Sequence, residues 1–337
     1  MGGSDLDYKI RVNQDHLIPA RSGQTLLTAL ASHGVFLPTA CGGRGACGLC
    51  KVKVVAGGGP LTDKETVRLG DLVKAGFRLA CQVRIDGHLQ IELPQQVLQD
   101  SLVRAVFADV QELTADTRLF RFELQDPPVI DFIPGQYVRL LCPPYPGSPE
   151  PVTREYSIAS DPANRHILEL VIRKVPNGIC TRYCFDYLKI GQQVFLSRPV
   201  GQFGLSDRPL PAVFIAGGSG LAPFLAMLYA LADGQQYRPV TLFFGARTVN
   251  DLYLLERLRG FEARIKGFRF VPVVAQVEQG QDWDGQVGLV TDVIGRLYQD
   301  LKGHEGYLCG PPGMIDAALK VLTALGMPPE QIYYDKF

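Results

Sequence analysis

Residues 39–50 read TACGGRGACGLC, placing Cys41, Cys47 and Cys50 within ten positions and Gly42, Gly43, Gly45 and Gly48 between them. Cys81 follows in RLACQ, which gives the spacing C-x5-C-x2-C-x30-C. A stretch so rich in glycine favours neither helix nor strand, but it can curl tightly around something. The first 15 residues, MGGSDLDYKIRVNQD, lack a basic start followed by an apolar run, so a reducing, cytoplasmic setting is expected. Disulfides are disfavoured there, and the sulfurs point to metal. An iron–sulfur cluster needs four thiolates and a loop that wraps its core, with amide N–H groups stabilising the reduced charge. A tetrahedral zinc site with four cysteines is the alternative, although zinc ribbons usually bring two C-x-x-C pairs and here there is one.

The rest of the composition narrows the field. With 34 basic and 34 acidic residues the chain has no formal net charge, so no bulk field favours nucleic acid or an anionic membrane. Residues 209–232 carry no charge over a length that could span a bilayer. Their GGSG and three prolines point instead to a buried strand, a loop and a helix, and no integral membrane segment is expected.

The texture of the sequence changes twice along its 337 residues, enough for two or three domains. Residues 1–94 mix short strands with a helix that Ser22 can cap, running from about Gly23 to His33 with Gly34 as its stop. Residues 95–101 are polar and read as a linker. Residues 102–207 are a succession of strands separated by regular turn signals, interrupted by one helix, CTRYCFDYL; this suggests a small antiparallel barrel. In residues 208–337 the strands AVFIA, VTLFFGA, FRFVPVVA and GYLCG alternate with helical stretches at 221–232, 251–259, 289–298 and 313–325, the pattern of a parallel α/β sheet. A multidomain α+β, β-barrel and α/β chain is therefore expected. Cys180 and Cys184 lie four apart on one helix and read as small core residues.

YKIRV, GQTLLTALASHGV, ACGGRGACGLCKVKVV and RLACQ together resemble a plant-type [2Fe–2S] ferredoxin of β-grasp fold. The usual loop is C-x4-C-x2-C. The extra residue here is shared with the ferredoxin domain in the NADH-oxidising subunit of the bacterial sodium-pumping NADH:quinone reductase, and the GGRG run resembles that branch. The resemblance implies that Cys41, Cys47, Cys50 and Cys81 hold the cluster. REYSIAS (154–160) resembles the R-x-Y-S flavin motif of the ferredoxin-reductase superfamily. This implies Arg154 on the FAD pyrophosphate, Tyr156 against the isoalloxazine and Ser157 near the atom that receives hydride. Gly178 and Thr181 match the G-x-x-S/T that opens a helix beside that pyrophosphate. AGGSGLAP (216–223) is not the common G-x-G-x-x-G. It resembles the superfamily's G-G-x-G-x-x-P, giving Gly217, Gly218, Gly220 and Pro223 to the nicotinamide nucleotide. GART supplies Gly245 and Arg247 on the ribose side. CGPPGM supplies Cys309, beside the nicotinamide, and Gly310. Phe337, in IYYDKF, would cover the second flavin face.

The order ferredoxin, flavin barrel, nicotinamide domain matches the reductase components of bacterial oxygenases and the soluble part of the sodium-pump protein. NADH yields an electron pair and the cluster takes one electron, so FAD is expected between them. NADH is favoured over NADPH, because Arg247 is followed by Val249, Asn250 and Asp251 and the carboxylate would repel a 2′-phosphate. The acceptor is expected to be a separate one-electron protein, an oxygenase component or another metalloenzyme. The alternative is a soluble cousin of the pump protein that feeds a membrane complex, and a zinc-stapled nucleotide sensor without turnover is a third reading.

Overall fold

The computed structural model describes residues 8–13, 16–39, 41, 43–94, 102–148, 151–234 and 237–336. The expected linker, 95–101, lies outside them, as do Phe337 and Gly42. Three sheets follow one another along the chain, each closing an apolar core of its own.

The first sheet comprises β1 (Tyr8–Val12), β2 (His16–Ala20), β3 (Lys51–Ala56), β4 (Phe77–Leu79) and β5 (Leu89–Glu92), in the order β2-β1-β5-β3-β4. Lys9 and Arg11 face out while Ile10 and Val12 are fully buried, the two-residue period of a half-buried strand. Strand β5 enters the middle of the sheet, parallel to β1 and antiparallel to β3. Helix α1 (Leu26–Ser32) packs Leu26, Ala29 and Leu30 onto it, and α2 (Asp63–Leu69) lies beside the cysteine loop. This is a β-grasp arrangement. Ser22 is not the helix cap. Gly23 takes a left-handed conformation (φ 83°) and donates to the Ile85 carbonyl, so helical backbone begins only after Thr25, whose hydroxyl accepts from Thr28 N at 3.1 Å. Gly34, at φ 86°, does end the helix as expected.

The second sheet contains β6 (Val103–Glu112), β7 (Thr117–Asp126), β8 (Tyr137–Cys142), β9 (Val152–Ser157), β10 (Ile167–Arg173) and β11 (Gln193–Leu196), all antiparallel in the order β10-β7-β6-β11-β8-β9. Its outer strands meet just beyond β9, where Ile158 bridges Leu170 and Ala159 N donates to the Glu169 carbonyl at 2.8 Å. The barrel is nearly closed around Phe107, Phe120 and Phe122. The expected helix is present as α3 (Ile179–Arg182) running into a wider π turn over Tyr183–Tyr187.

The third sheet is parallel throughout: β12 (Ala212–Gly217), β13 (Val240–Ala246), β14 (Phe268–Val274), β15 (Gln286–Val287), β16 (Glu305–Gly310) and β17 (Ile332–Lys336), ordered β15-β14-β13-β12-β16-β17. Helices α4 (Ala222–Ala232), α5 (Leu255–Arg264), α6 (Val290–Leu297) and α7 (Pro312–Ala324) cover it. The uncharged stretch 209–232 is β12, a tight turn and α4; no helix among the described residues is long and apolar enough to cross a membrane. The helix expected at 251–259 starts later, at Leu255. Thr248 and Asp251 close a single turn by mutual capping, and Leu254 then reverses the backbone (φ 56°). The segment before Phe337 is a strand, β17, paired with β16.

Candidate functional site

The cysteine loop runs from α1 to β3. Gly43, Gly45 and Gly48 all take positive φ (86°, 76° and 71°), a conformation that costs other residues strain. Cys41 lies near enough to Cys47, and Cys50 to Cys81, for each pair to act on one another's protons. Among the described residues no three His, Cys, Asp or Glu side chains gather as a single ion would require. Burial pushes the Cys41 thiol up, but the N–H groups of Cys47, Ala46 and Arg44 outweigh it and bring it to about 6. Cys81 is likewise lowered to about 6, first by the Cys50 thiol and then, against burial, by Gln82 and the Gly45 N–H. Cys50, as the partner that keeps its proton, is raised. The loop therefore already turns donors onto sulfur, the environment that a thiolate-bound cluster needs.

A buried ion pair props this loop from behind, and nothing in the sequence announced it. The Glu65 carboxylate accepts from Arg78 Nε at 2.7 Å and Nη2 at 2.9 Å, and from Leu79 N at 3.1 Å, which fixes the strand leading to Cys81. Arg78 also donates to the carbonyls of Gly58, Gly59 and Pro60.

Strands β8 and β9 face the first unit, while Leu119, Ala159 and Val171 of the barrel pack into the core of the third. In the β8–β9 register Tyr137, Arg139 and Leu141 stand opposite Ser157, Glu155 and Thr153. Leu141 packs against Ala31 and Phe36 of the first unit. Beside it, Thr39, Cys41 and Arg44 face Arg139, Thr153, Arg154 and Glu155 across a cavity of about 470 Å³. From the third unit, Asp335 lies opposite Cys309 in the β16–β17 register and close enough to Glu155 and Tyr137 to act on their charges. Burial, then the Glu155 carboxylate, raises the Asp335 carboxyl; burial also raises the Cys309 thiol, with Asp335 adding to it.

Of the expected flavin residues, Arg154 lies at this cavity, exposed, with one amino group on the Thr153 carbonyl at 2.7 Å. Ser157 is half-buried at the end of β9. The Tyr156 hydroxyl is shut off from water without a hydrogen-bond partner, as is the Thr39 hydroxyl. Tyr156 packs against the barrel core, whereas Thr39 shares its cavity with the guanidinium groups of Arg44, Arg139 and Arg154; buried polar atoms rarely stay unpaired, so that cavity fits an oxygen-rich ligand such as a flavin nucleotide. Gly178 precedes α3 and has no room for a Cβ beside Thr181 and Val175. The Thr181 hydroxyl is occupied within the loop, donating to the Gly178 carbonyl at 3.3 Å and accepting from Val175 N at 3.4 Å. Cys180 and Cys184 are buried in the barrel core beside Cys142.

The order in which strands are added to the third sheet reverses between β12 and β16, and a crevice of about 430 Å³ lies at the carboxyl ends of its strands. Gly217, Gly218, Gly245 and Arg247 line it, together with Asp251, Tyr253, Pro311 and Met314. Gly220 and Pro223 lie behind it, at the turn into α4. A Cβ on Gly220 would collide with the Cys309 carbonyl, and one on Gly310 (φ 147°) would lie 2.9 Å from the Gly217 carbonyl oxygen. These glycines let two strand ends approach closely, and the crevice follows from that. Tyr253, which no motif pointed to, ties its hydroxyl to the Gly218 carbonyl at 2.7 Å.

Comparison with known proteins agrees with this layout. Residues 10–86 match the 2Fe-2S iron-sulfur cluster binding domain, 104–204 the oxidoreductase FAD-binding domain, and 214–320 the oxidoreductase NAD-binding domain. The xylene/toluene monooxygenase electron transfer component XylA of Pseudomonas putida is 35% identical over 321 residues, covering 94% of this chain and 89% of its own. A component of the Na(+)-translocating NADH-quinone reductase of Neisseria gonorrhoeae is 29% identical over 378 residues, covering 99% and 92%. Among solved structures, the Amycolatopsis cytochrome P450 reductase GcoB is 33% identical with a TM-score of 0.66, and the ferredoxin reductase of carbazole 1,9a-dioxygenase 26% identical with a TM-score of 0.68; each alignment covers 98% of both chains. The chain thus belongs to the family of NAD(P)H-dependent flavoprotein reductases that carry a [2Fe–2S] ferredoxin domain, an FAD barrel and a nicotinamide domain in one polypeptide, and it works by electron transfer.

Proposed function

We propose that this reductase oxidises NADH and delivers the electrons singly to a separate cytoplasmic acceptor protein, an oxygenase component or another metalloenzyme. The observation that carries this reading is the barrel's position between the two other sites: its β8–β9 pair, with Arg154, faces the iron-binding loop at Thr39, Cys41 and Arg44 across one cavity, and its Asp116 and Arg173 line the nicotinamide crevice. Held by these residues, FAD would supply the conversion between a two-electron donor and a one-electron acceptor. The chain's residues position these groups and exclude water; no acid–base machinery is required beyond that.

In this reading the units are 1–94, 102–207 and 208–337, joined by 95–101. Cys41, Cys47, Cys50 and Cys81 would hold the iron–sulfur cluster. Arg154, Tyr156, Ser157, Gly178 and Thr181 serve FAD, with Phe337 over its second face. Gly217, Gly218, Gly220, Pro223, Gly245, Arg247, Cys309 and Gly310 shape the nicotinamide site. NADH is preferred because the Asp251 carboxylate lines the same crevice as Arg247, held there by Thr248 N at 3.0 Å. None of the eight cysteines is joined in a disulfide, which accords with a reducing compartment. The names of the monooxygenase and dioxygenase relatives support an oxygenase as acceptor. The C-x5-C spacing favours a second reading, delivery to a membrane complex.

An anaerobic titration tests the proposal. Excess NADH is expected to bleach both flavin and cluster absorbance and to yield the paramagnetic signal of a reduced cluster, with NADPH at least tenfold slower. Protein that holds zinc without sulfide, or stays oxidised under NADH, would overturn it.

A further inference from the structure

From the cavity between the first two units we infer that the iron-binding loop completes the flavin site: Thr39 and Arg44 contact bound FAD, and flavin affinity and cluster retention are coupled through them. This rests on the flavin site proposed above. The cavity is lined by three guanidinium groups, Arg44, Arg139 and Arg154, against one carboxylate, Glu155. Glu155 is paired with Arg139 at 3.1 Å. Arg44 and Arg154 make no ion pair among the described residues, which leaves two positive charges facing the space. The Thr39 hydroxyl is buried there with no partner. Leaving such a group unpaired is costly, so the site is built for an occupant that brings acceptor oxygens and negative charge. A flavin nucleotide held by Arg154 has both.

Arg44 gives this contact a consequence. Its Nε donates to the Cys41 carbonyl at 2.9 Å, and its own carbonyl accepts from Lys64 Nζ at 3.2 Å. Its two terminal amino groups have no partner among the described residues. A ligand that holds those amino groups therefore also holds the backbone at the first cluster cysteine. By linkage, whatever FAD gains from an ordered loop, the loop gains from FAD.

The test uses the full chain and the variants Thr39→Val, Arg44→Ala, Arg44→Lys and, for comparison, Arg154→Ala. FAD dissociation constants are read from flavin fluorescence, and cluster retention from the rate of iron loss to a chelator with and without FAD. Thr39→Val is expected to weaken FAD by about three- to tenfold. Arg44→Ala is expected to weaken it by about tenfold or more, with Arg44→Lys recovering part of the loss. FAD should slow iron loss in the unaltered protein and do so less in Thr39→Val. If Arg44→Ala cannot keep its iron, Thr39→Val decides, because it preserves side-chain shape and the Arg44–Cys41 contact. FAD binding within twofold of normal in both loop variants, with Arg154→Ala weakened, overturns the inference and leaves the flavin site standing. If Arg154→Ala also binds normally, the flavin reading itself falls, and the inference with it.

Discussion

Replacing Arg78 by Met should loosen the ferredoxin unit far more than a single side chain on a small strand suggests. Glu65 is fully excluded from water and accepts from five donors: two on Arg78, Leu79 N, and the Thr62 N and hydroxyl at 2.9 and 3.0 Å. Arg78→Met removes two of these together with the countercharge, and it strips the donors from three carbonyls at 58–60. Breaking a buried pair from one side costs about 3–5 kcal/mol, because the remaining charge is stranded. Removing both charges, as Glu65→Gln with Arg78→Met, should recover a large part of that loss. The assay is urea unfolding of the whole chain, followed by cluster absorbance, between pH 4 and pH 8. Burial raises the Glu65 carboxyl, but Arg78, Thr62 and Leu79 outweigh it and hold it below the usual carboxylate range. Its stabilising contribution is therefore complete above the ordinary glutamate range and is lost as pH falls through the depressed native value. The gap between the unaltered chain and Arg78→Met should narrow on the acid side. A difference under about 1 kcal/mol at pH 7, well below the range for a broken buried pair, or one that widens on acidification, would refute the reasoning.

Other perturbations follow from the same geometry. Gly220→Ala forces a Cβ into the Cys309 carbonyl and should cost about 1–3 kcal/mol of stability together with a raised KM for NADH, read by melting and steady-state kinetics. Asp251→Asn keeps an acceptor for the Thr248 N–H while removing the charge, so NADPH kcat/KM should rise about fivefold with NADH little changed. Asp335 has a raised carboxyl, so its ionisation destabilises the native state as pH rises through that value; Asp335→Asn should raise Tm at pH 7–8 and leave it unchanged near pH 4. Cys81→Ser should abolish cluster absorbance, whereas Cys184→Ser, in the barrel core, should leave iron content intact.

The parts of this molecule that were legible in the sequence are those where chemistry restricts residue type within a short window. A cluster loop needs Cys41, Cys47 and Cys50 with glycines at left-handed positions, and strand ends that nearly touch need Gly220 and Gly310. What stayed hidden depends on partners far apart in sequence. Glu65 and Arg78 look like ordinary surface charges until β4 brings them together. Asp335 reads as part of a polar tail until β17 sets it opposite Cys309. Thr39 gains its meaning only from a barrel strand more than a hundred residues away. The local errors have local causes: a left-handed Gly23 moved the cap from Ser22 to Thr25, and the Thr248–Asp251 turn delayed the helix after β13.

Strand β5 is the last of its sheet to be synthesised yet sits in its centre, between β1 and β3. A nascent chain that has already released the first three cysteines thus has no finished sheet to hold them. Until residue 92 is available, these sulfhydryls belong to an unfolded segment, open to oxidation and to stray metals. Iron delivery during biogenesis must therefore follow completion of the whole β-grasp, and fragments ending before Leu89 should emerge colourless however much iron and sulfide the cell supplies.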